Sequence, residues 1–177
     1  PTPQPVLSSN PLFARVAEAT AVADAAGQDT QFDTVFRPFV AQAFATGFAQ
    51  SGAEIGPMAI AEAPDGTFLI SGGAARNRIY RFTVEGGAAT MPQVELPSPV
   101  FNLAFDLDGQ LWATTGGGPL LKLNPTTGEI VDRFGDGFHG FVDGLTIALA
   151  VHPDSGLIYV SSGRGVEIFN PTSSTID

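Results

Sequence analysis

The side chains able to do chemistry are few in this chain, and their spacing is the first thing to weigh. Asp65, Asp108 and Asp154 follow one another at intervals of 43 and 46 residues. Eleven residues before them stand Glu54, Pro97 and Asp143, and six before them stand Ala59, Asn102 and Ala148. Glu54, Asn102 and Asp143 therefore offer hard oxygen donors, the ligand type that Ca²⁺ takes, at comparable points of successive segments. Convergence of the three at one rim would make a speculative cation site. The competing reading is a set of solvated rim residues with no ligand, and it is the favoured one.

Other chemistry finds less support. There is no Gly-x-Ser-x-Gly elbow, no phosphate loop ending in Gly-Lys-Ser/Thr, and no His-Glu-x-x-His helix. His139 and His152 have no ligand spacing, and His152 directly precedes Pro153-Asp154 in what reads as a turn. The piece Asp106-x-Asp108-Gly109 opens like a calcium loop, but the chain runs straight into a strand before further ligands can be supplied. It reads as turn chemistry. Gly116-Gly117-Gly118-Pro119 lacks the following helix start that phosphate binding needs, and reads as a strand connector. Nothing here assigns catalytic residues, and no cofactor is expected beyond Ca²⁺ at the rim.

The elements that must position these residues are repeated. Ile60-Ala61-Glu62-Ala63-Pro64-Asp65-Gly66-Thr67-Phe68-Leu69-Ile70 recurs as Leu103 to Ala113 and again as Leu149 to Tyr159. Each copy continues through Ser71-Gly72-Gly73, Thr114-Thr115-Gly116 or Ser161-Ser162-Gly163, small residues that close a strand. A third strand follows as Ile79–Phe82, Leu120–Leu123 and Val166–Phe169. Copies two and three then share the turn Asn124-Pro125-Thr126 and Asn170-Pro171-Thr172. A fourth, outer strand is legible as Val94–Leu96 and Ile130–Phe134, whereas copy three ends after its third strand. A period of about 40–50 residues with four short strands per unit predicts the blades of a β-propeller. The expected fold is all-β, with about three four-stranded antiparallel blades near residues 55–97, 98–140 and 141–177 and an incomplete ring.

Packing within the repeat is also predictable. Ala61, Ala104 and Ala150 occupy one register of the innermost strand, where neighbouring blades converge and a small side chain lets them approach. Ile60, Leu103 and Leu149 alternate with them and point into the layer between blades. Leu69, Trp112 and Tyr159, beside Phe68, Leu111 and Ile158, should supply the sheet-to-sheet core.

The pattern apolar-Ala-x-x-x-Asp-Gly-x-Leu-Trp-x-Thr, followed by a strand and Asn-Pro-Thr-Thr-Gly, resembles blades of the NHL and SMP-30/gluconolactonase-like propellers. Streptogramin lyase-like propellers share it. The resemblance covers roughly residues 55–177 and specifies blade structure. It implies two activities to test against the residues. Lactonases of that group hold a metal through Glu, Asn and Asp in the central channel, which leaves Glu54, Asn102 and Asp143 as candidates. The lyases use a channel histidine, and neither His139 nor His152 lies on an expected inner strand.

Residues 1–30 differ in kind. Pro1-Thr2-Pro3-Gln4-Pro5 reads as an extended arm, and Asn10-Pro11 as a helix start, with Leu12, Val16, Ala19 and Ala23 at helical spacing over 11–26. Within 31–177, the segment 34–41 is rich in β-formers and reads as a possible closing strand for another blade. Net charge of −10 argues against nucleic acid as a partner. No apolar run approaches the ~18 residues of a membrane span. Cysteine is absent, so no disulfide framework or thiolate-bound metal exists.

Two functions follow as expectations. The first is a non-enzymatic propeller module, extracellular, on the cell surface or periplasmic, that mediates protein binding or structural assembly. The second is a metal-dependent lactonase, hydrolase or lyase of the SMP-30-like group. Three blades do not close a ring, because propellers typically have 4–8. A protein partner or the remainder of the propeller is therefore expected to complete it.

Overall fold

The repeats fold as three consecutive four-stranded antiparallel sheets. The structure, a computed structural model, describes residues 6, 8–19, 32, 34–36, 39–135, 147–163, 165–173 and 175–176. The chain divides into two compact units, Pro1–Thr46 and Gly47–Asp177.

In the first unit, helix α1 spans Pro11–Ala19. Asn10 starts it: its Oδ1 accepts the Leu12 N–H at 2.9 Å and its carbonyl accepts the Ala14 N–H at 3.0 Å. Of the helix expected over 11–26, residues 20–26 lie outside the described residues. Leu12, Phe13 and Val16 on α1 are all exposed. In the segment 34–41, Phe36 forms a single parallel bridge with Val6, whose N–H donates to the Val35 carbonyl at 2.9 Å. Strand β1, Ala45–Thr46, ends the unit. No helix among the described residues is long and apolar enough to cross a membrane.

The second unit carries the blades. Blade one is β2 (Ile60–Glu62), β3 (Phe68–Ser71), β4 (Arg78–Phe82) and β6 (Val94–Glu95), with the short β5 (Gly87–Ala88) in the β4–β6 connection. Blade two is β7 (Asn102–Phe105), β8 (Leu111–Thr114), β9 (Leu120–Leu123) and β10 (Ile130–Phe134). Blade three is β11 (Leu149–Val151), β12 (Ile158–Ser162), β13 (Gly165–Asn170) and β14 (Thr175–Ile176). The register repeats: Ile60 pairs with Ile70, Leu103 with Ala113, and Leu149 with Val160.

One expectation is corrected here. The third blade does have its outer strand, since Phe169 pairs with Ile176 and Asn170 with Thr175. The Asn170-Pro171 turn brings the chain back, as Asn170 Oδ1 accepts the Thr172 N–H at 3.0 Å. A two-residue strand is too short to show alternation, which is why pattern alone missed it.

Alternation across each sheet gives every blade two faces, one toward the blade before it and one toward the blade after it. Between blades one and two, Ala59, Ala61, Leu69 and Ile79 meet Leu103, Leu111, Ala113 and Leu121 in one core cluster. Between blades two and three, Ala104, Trp112, Leu120 and Phe134 meet Leu149, Ile158, Val160 and Phe169 in a second. So the alanine row faces the following blade, and the Ile60/Leu103/Leu149 row faces the preceding one. Ile60, expected in an interblade layer, is 58% exposed, against 3% for Leu103 and 8% for Leu149. Its row has nothing before it among the blades of this unit.

Candidate functional site

The three proposed oxygen donors have distinct local roles. Glu54 sits in a turn closed by its own N–H donating to the Ser51 carbonyl at 2.9 Å, with Ser51 N–H donating to the Ile55 carbonyl. Its φ of 58° is unusual for a residue with a side chain, and its side chain is exposed. Asn102 lies on β7 with its amide engaged at both ends: Oδ1 accepts the Leu103 N–H at 2.8 Å, and Nδ2 donates to the Leu149 carbonyl at 3.2 Å. Asp143 and His139 lie outside the described residues. Among the described residues, no three His, Cys, Asp or Glu side chains gather as metal ligands.

The turn chemistry is resolved in detail. Asp65 Oδ1 accepts the Thr67 N–H at 3.0 Å and its hydroxyl at 2.6 Å. Those bonds, foremost the hydroxyl's, favour the charged form, and with help from Arg81 they hold the Asp65 carboxyl below its ordinary value. In blades two and three the turn cap stands two residues earlier than Asp108 and Asp154. Asp106 Oδ1 accepts the N–H groups of Asp108 and Gln110 at 3.0 and 2.8 Å, while its Oδ2 accepts the Trp112 indole N–H at 2.8 Å. At the same register His152 uses Nδ1 to accept the N–H groups of Asp154 and Ser155 at 3.3 and 3.2 Å. Histidine here replaces a capping carboxylate.

A second set of polar groups stitches the strands, and sequence reading missed it. Ser71, Thr114 and Ser161 share one register at the end of the second strand. Ser71 Oγ accepts the Ala59 N–H at 3.0 Å, and Ser161 Oγ accepts the Ala148 N–H at 2.8 Å, each fixing the entry of its own inner strand. Thr114, fully buried, instead donates to the Ile147 carbonyl at 2.8 Å and ties blade two to blade three. The signal was present, because hydroxyl residues recur at this register; their smallness drew attention away from their bonding. On the outer side, Arg81 donates to Gln93 Oε1, Asp65 Oδ2, Thr67 Oγ1 and the Pro125 carbonyl. Gln93 Nε2 donates to the Thr126 carbonyl at 2.7 Å. These bonds join blade one to the outer turn of blade two. The glycine run after β8 serves packing: Gly116 has φ +68°, and a Cβ there would fall 2.1 Å from the Phe101 ring.

Both ends of the blade series carry apolar residues. On blade three, the face that continues the Ala104/Trp112/Leu120 row carries Ala150, Tyr159, Val166 and Ile168. Val166 is 67% exposed, whereas Leu120 at its register in blade two is fully buried. At the register of Arg81 and Lys122 this face carries Ile168, so it is more apolar than its interior counterparts. On blade one, the opposite face carries Ile60, Phe68, Ile70, Tyr80 and Phe82. Phe48 covers its outer part, with ring centroids 5.4 Å from Tyr80 and 6.0 Å from Phe82. Ile70 and Phe82 on this face are 5% and 7% exposed, so it is largely covered, and Ile60 at its inner end is 58% exposed.

Neither a family model nor a curated protein matches the sequence. Solved structures do match in fold. The chain is similar to YCF48 bound to D1 peptide, with a TM-score of 0.56 and 16% identity over 77% of this chain and 42% of that one. It is similar to the RRP9 WD40 repeats, with a TM-score of 0.54 and 16% identity over 73% of this chain and 42% of that one. Virginiamycin B lyase from Staphylococcus aureus, a streptogramin lyase-like propeller, gives a TM-score of 0.53 and 20% identity over 70% of this chain and 40% of that one. The chain therefore carries β-propeller repeats and spans about two fifths of the length of each of these three structures.

Proposed function

We propose that this chain is a protein-binding propeller module that works within an assembly, with the outward face of blade three as the binding surface. The observation that carries the reading is the exposure of Val166, 67%, at a register where Ile79 of blade one and Leu120 of blade two are fully buried. Apolar rows of this kind are covered in a finished propeller, and an open blade face invites association. YCF48 is a propeller seen with a bound peptide, which shows that the architecture accommodates such use; the likeness itself carries fold alone. The same proposal extends to a location outside the cytoplasm, on the cell surface, secreted or periplasmic. Cell fractionation tests that part: recovery with the cytoplasmic fraction contradicts it.

The binding reading is tested by comparing the chain with a Val166→Lys/Ile168→Lys variant. The chain is expected to bind an apolar-surface dye and to sediment as part of an assembly, with itself or with another protein. The variant should lose both properties while keeping its far-UV circular dichroism. A variant that unfolds, or one that associates as before, removes this face as the binding surface.

A further inference from the structure

The end of the blades where Asn102 stands carries an unpaired cation. Arg76 lies in the β3–β4 connection and Phe101 directly before β7, both opposite the Asp65 turn. The other arginines of blade one are taken. Arg78 Nε donates to Glu95 Oε2 at 3.0 Å and Asn77 Nδ2 to Glu95 Oε1 at 3.3 Å, so both oxygens of that carboxylate are occupied. Arg81 donates to Asp65, Thr67, Gln93 and the Pro125 carbonyl. Among the described residues the Arg76 guanidinium makes no ion pair or hydrogen bond, and its Nε is buried without a partner. An unpaired buried N–H costs stability, and a chain with 18 Asp and Glu against 8 Lys and Arg has acids to spare. The guanidinium is nevertheless held in place. Its carbon lies 5.7 Å from the Phe101 ring centroid, within cation–π reach. The Arg76 carbonyl accepts the N–H of fully buried Val100 at 2.9 Å. Phe101 N–H donates to the Thr114 carbonyl at 2.9 Å, and its ring fills the space that a Cβ on Gly116 would take.

We infer that Arg76, seated on Phe101, binds a carboxylate of a partner polypeptide. The inference rests on the protein-binding reading and deepens it with a polar anchor separate from the outward face of blade three. A planar guanidinium takes a carboxylate through two parallel N–H groups. The Nη groups of Arg76 stay at the surface, because the residue is only half-buried and Nε alone among its nitrogens is both buried and unpaired. Packing on the ring fixes the guanidinium before the ligand arrives, so little freedom is lost on binding. Net charge selects the size of the anion. At −10 the chain repels a polyanion such as nucleic acid, whereas a single carboxylate meets one cation that no acid of the described residues has neutralised.

The experiment follows the arginine Nε–Hε signals of the whole chain by NMR while sodium acetate, and separately inorganic phosphate, replaces chloride at constant ionic strength. Arg76→Lys, which has no Nε–Hε group, assigns the Arg76 signal. That signal should shift saturably with acetate while those of Arg78 and Arg81, already paired, stay in place. N-acetyl-Gly-Glu-Gly-amide should shift it as acetate does, and the Gln analogue of that peptide should not. An Arg76 signal that stays still, moves in step with Arg78 and Arg81, or answers to phosphate alone overturns the carboxylate site. Stability gives a second readout. Arg76→Met removes the unpaired donor and should leave the urea midpoint unchanged or raise it. A lower midpoint without an acetate shift makes Arg76 a clamp on Phe101 and overturns the binding role. Failure at Arg76 leaves the blade-three face standing, because the Val166→Lys/Ile168→Lys comparison tests that face alone. A chain that binds acetate at Arg76 but associates with no protein loses the polypeptide as the source of the carboxylate, and with it the protein-binding reading.

Discussion

Replacing Trp112 by alanine tests the packing between blades two and three most severely. The indole is 1% exposed, with ring centroids 5.6 Å from Phe134 and 5.3 Å from Phe169. Emptying a buried aromatic site costs about 3–5 kcal/mol. The indole N–H also donates to Asp106 Oδ2, but Asp106 is half-buried, so water replaces much of that bond. A loss of about 4 kcal/mol follows. With a urea slope of about 2 kcal/mol/M, the unfolding midpoint should fall by about 2 M. Trp112 is the only tryptophan, so unfolding has to be followed by far-UV circular dichroism rather than indole fluorescence. Trp112→Phe keeps a ring in the site and removes the donor, and should cost about 1–2 kcal/mol. A Trp112→Ala loss below about 1 kcal/mol would mean the indole is not between the sheets, and the face-to-face blade stacking described above would be wrong.

Further expectations concern the polar groups. His152→Ala should destabilise the protein by about 1 kcal/mol, as the loss of a side-chain cap does, whereas His152→Asp should preserve stability because Asp106 does the same work at that register; equal losses in urea titrations would refute the capping role. Asp65 has a folded-state pKa below its unfolded value, so its contribution is present above the ordinary carboxylate value and is lost as pH falls through the folded pKa. Asp65→Asn should therefore flatten the acid limb of a stability–pH profile, and an unchanged acid limb contradicts the bonding. EDTA should leave the melting curve unchanged, since a cation bound only to the folded state would raise it; a lower melting temperature, together with calorimetric Ca²⁺ binding that Glu54→Gln weakens, would restore the rim as a cation site.

Much of the fold was legible because a propeller repeats its instructions. Three copies of one strand–turn–strand pattern identified the blades, and the alternation of Ala61 with Ile60 and of Ala104 with Leu103 assigned two faces to each inner strand. What escaped was short or misleadingly aligned. Strand β14 has two residues, too few for a period. The equivalence of Asp65, Asp108 and Asp154 was correct as alignment, yet the capping atoms in blades two and three belong to Asp106 and His152, since a cap depends on which side chain reaches back to the turn. Asn102 was conspicuous as an oxygen donor, but its amide serves two backbone groups. The open face of blade three was not legible residue by residue, because its residues are the same types that fill the interior; exposure is what distinguishes Val166 from Leu120.

The claim at the centre is that successive blades stack through one repeated contact, and cross-linking measures it directly. Within the chain, a Cβ on Gly109 would lie 3.6 Å from Pro64 Cγ, and one on Gly156 would lie 3.4 Å from Leu107 Cδ1. Leu107 shares the register of Pro64, and Gly156 that of Gly109. The native chain has no cysteine, so an introduced pair reports without interference. Pro64→Cys/Gly109→Cys should oxidise within one chain, as a control carrying the same left-handed glycine position. Leu107→Cys/Gly156→Cys should likewise oxidise within one chain, giving a monomer whose mobility shifts on reduction. If the control closes while the Leu107→Cys/Gly156→Cys chain keeps free thiols, blades two and three do not repeat the contact between blades one and two.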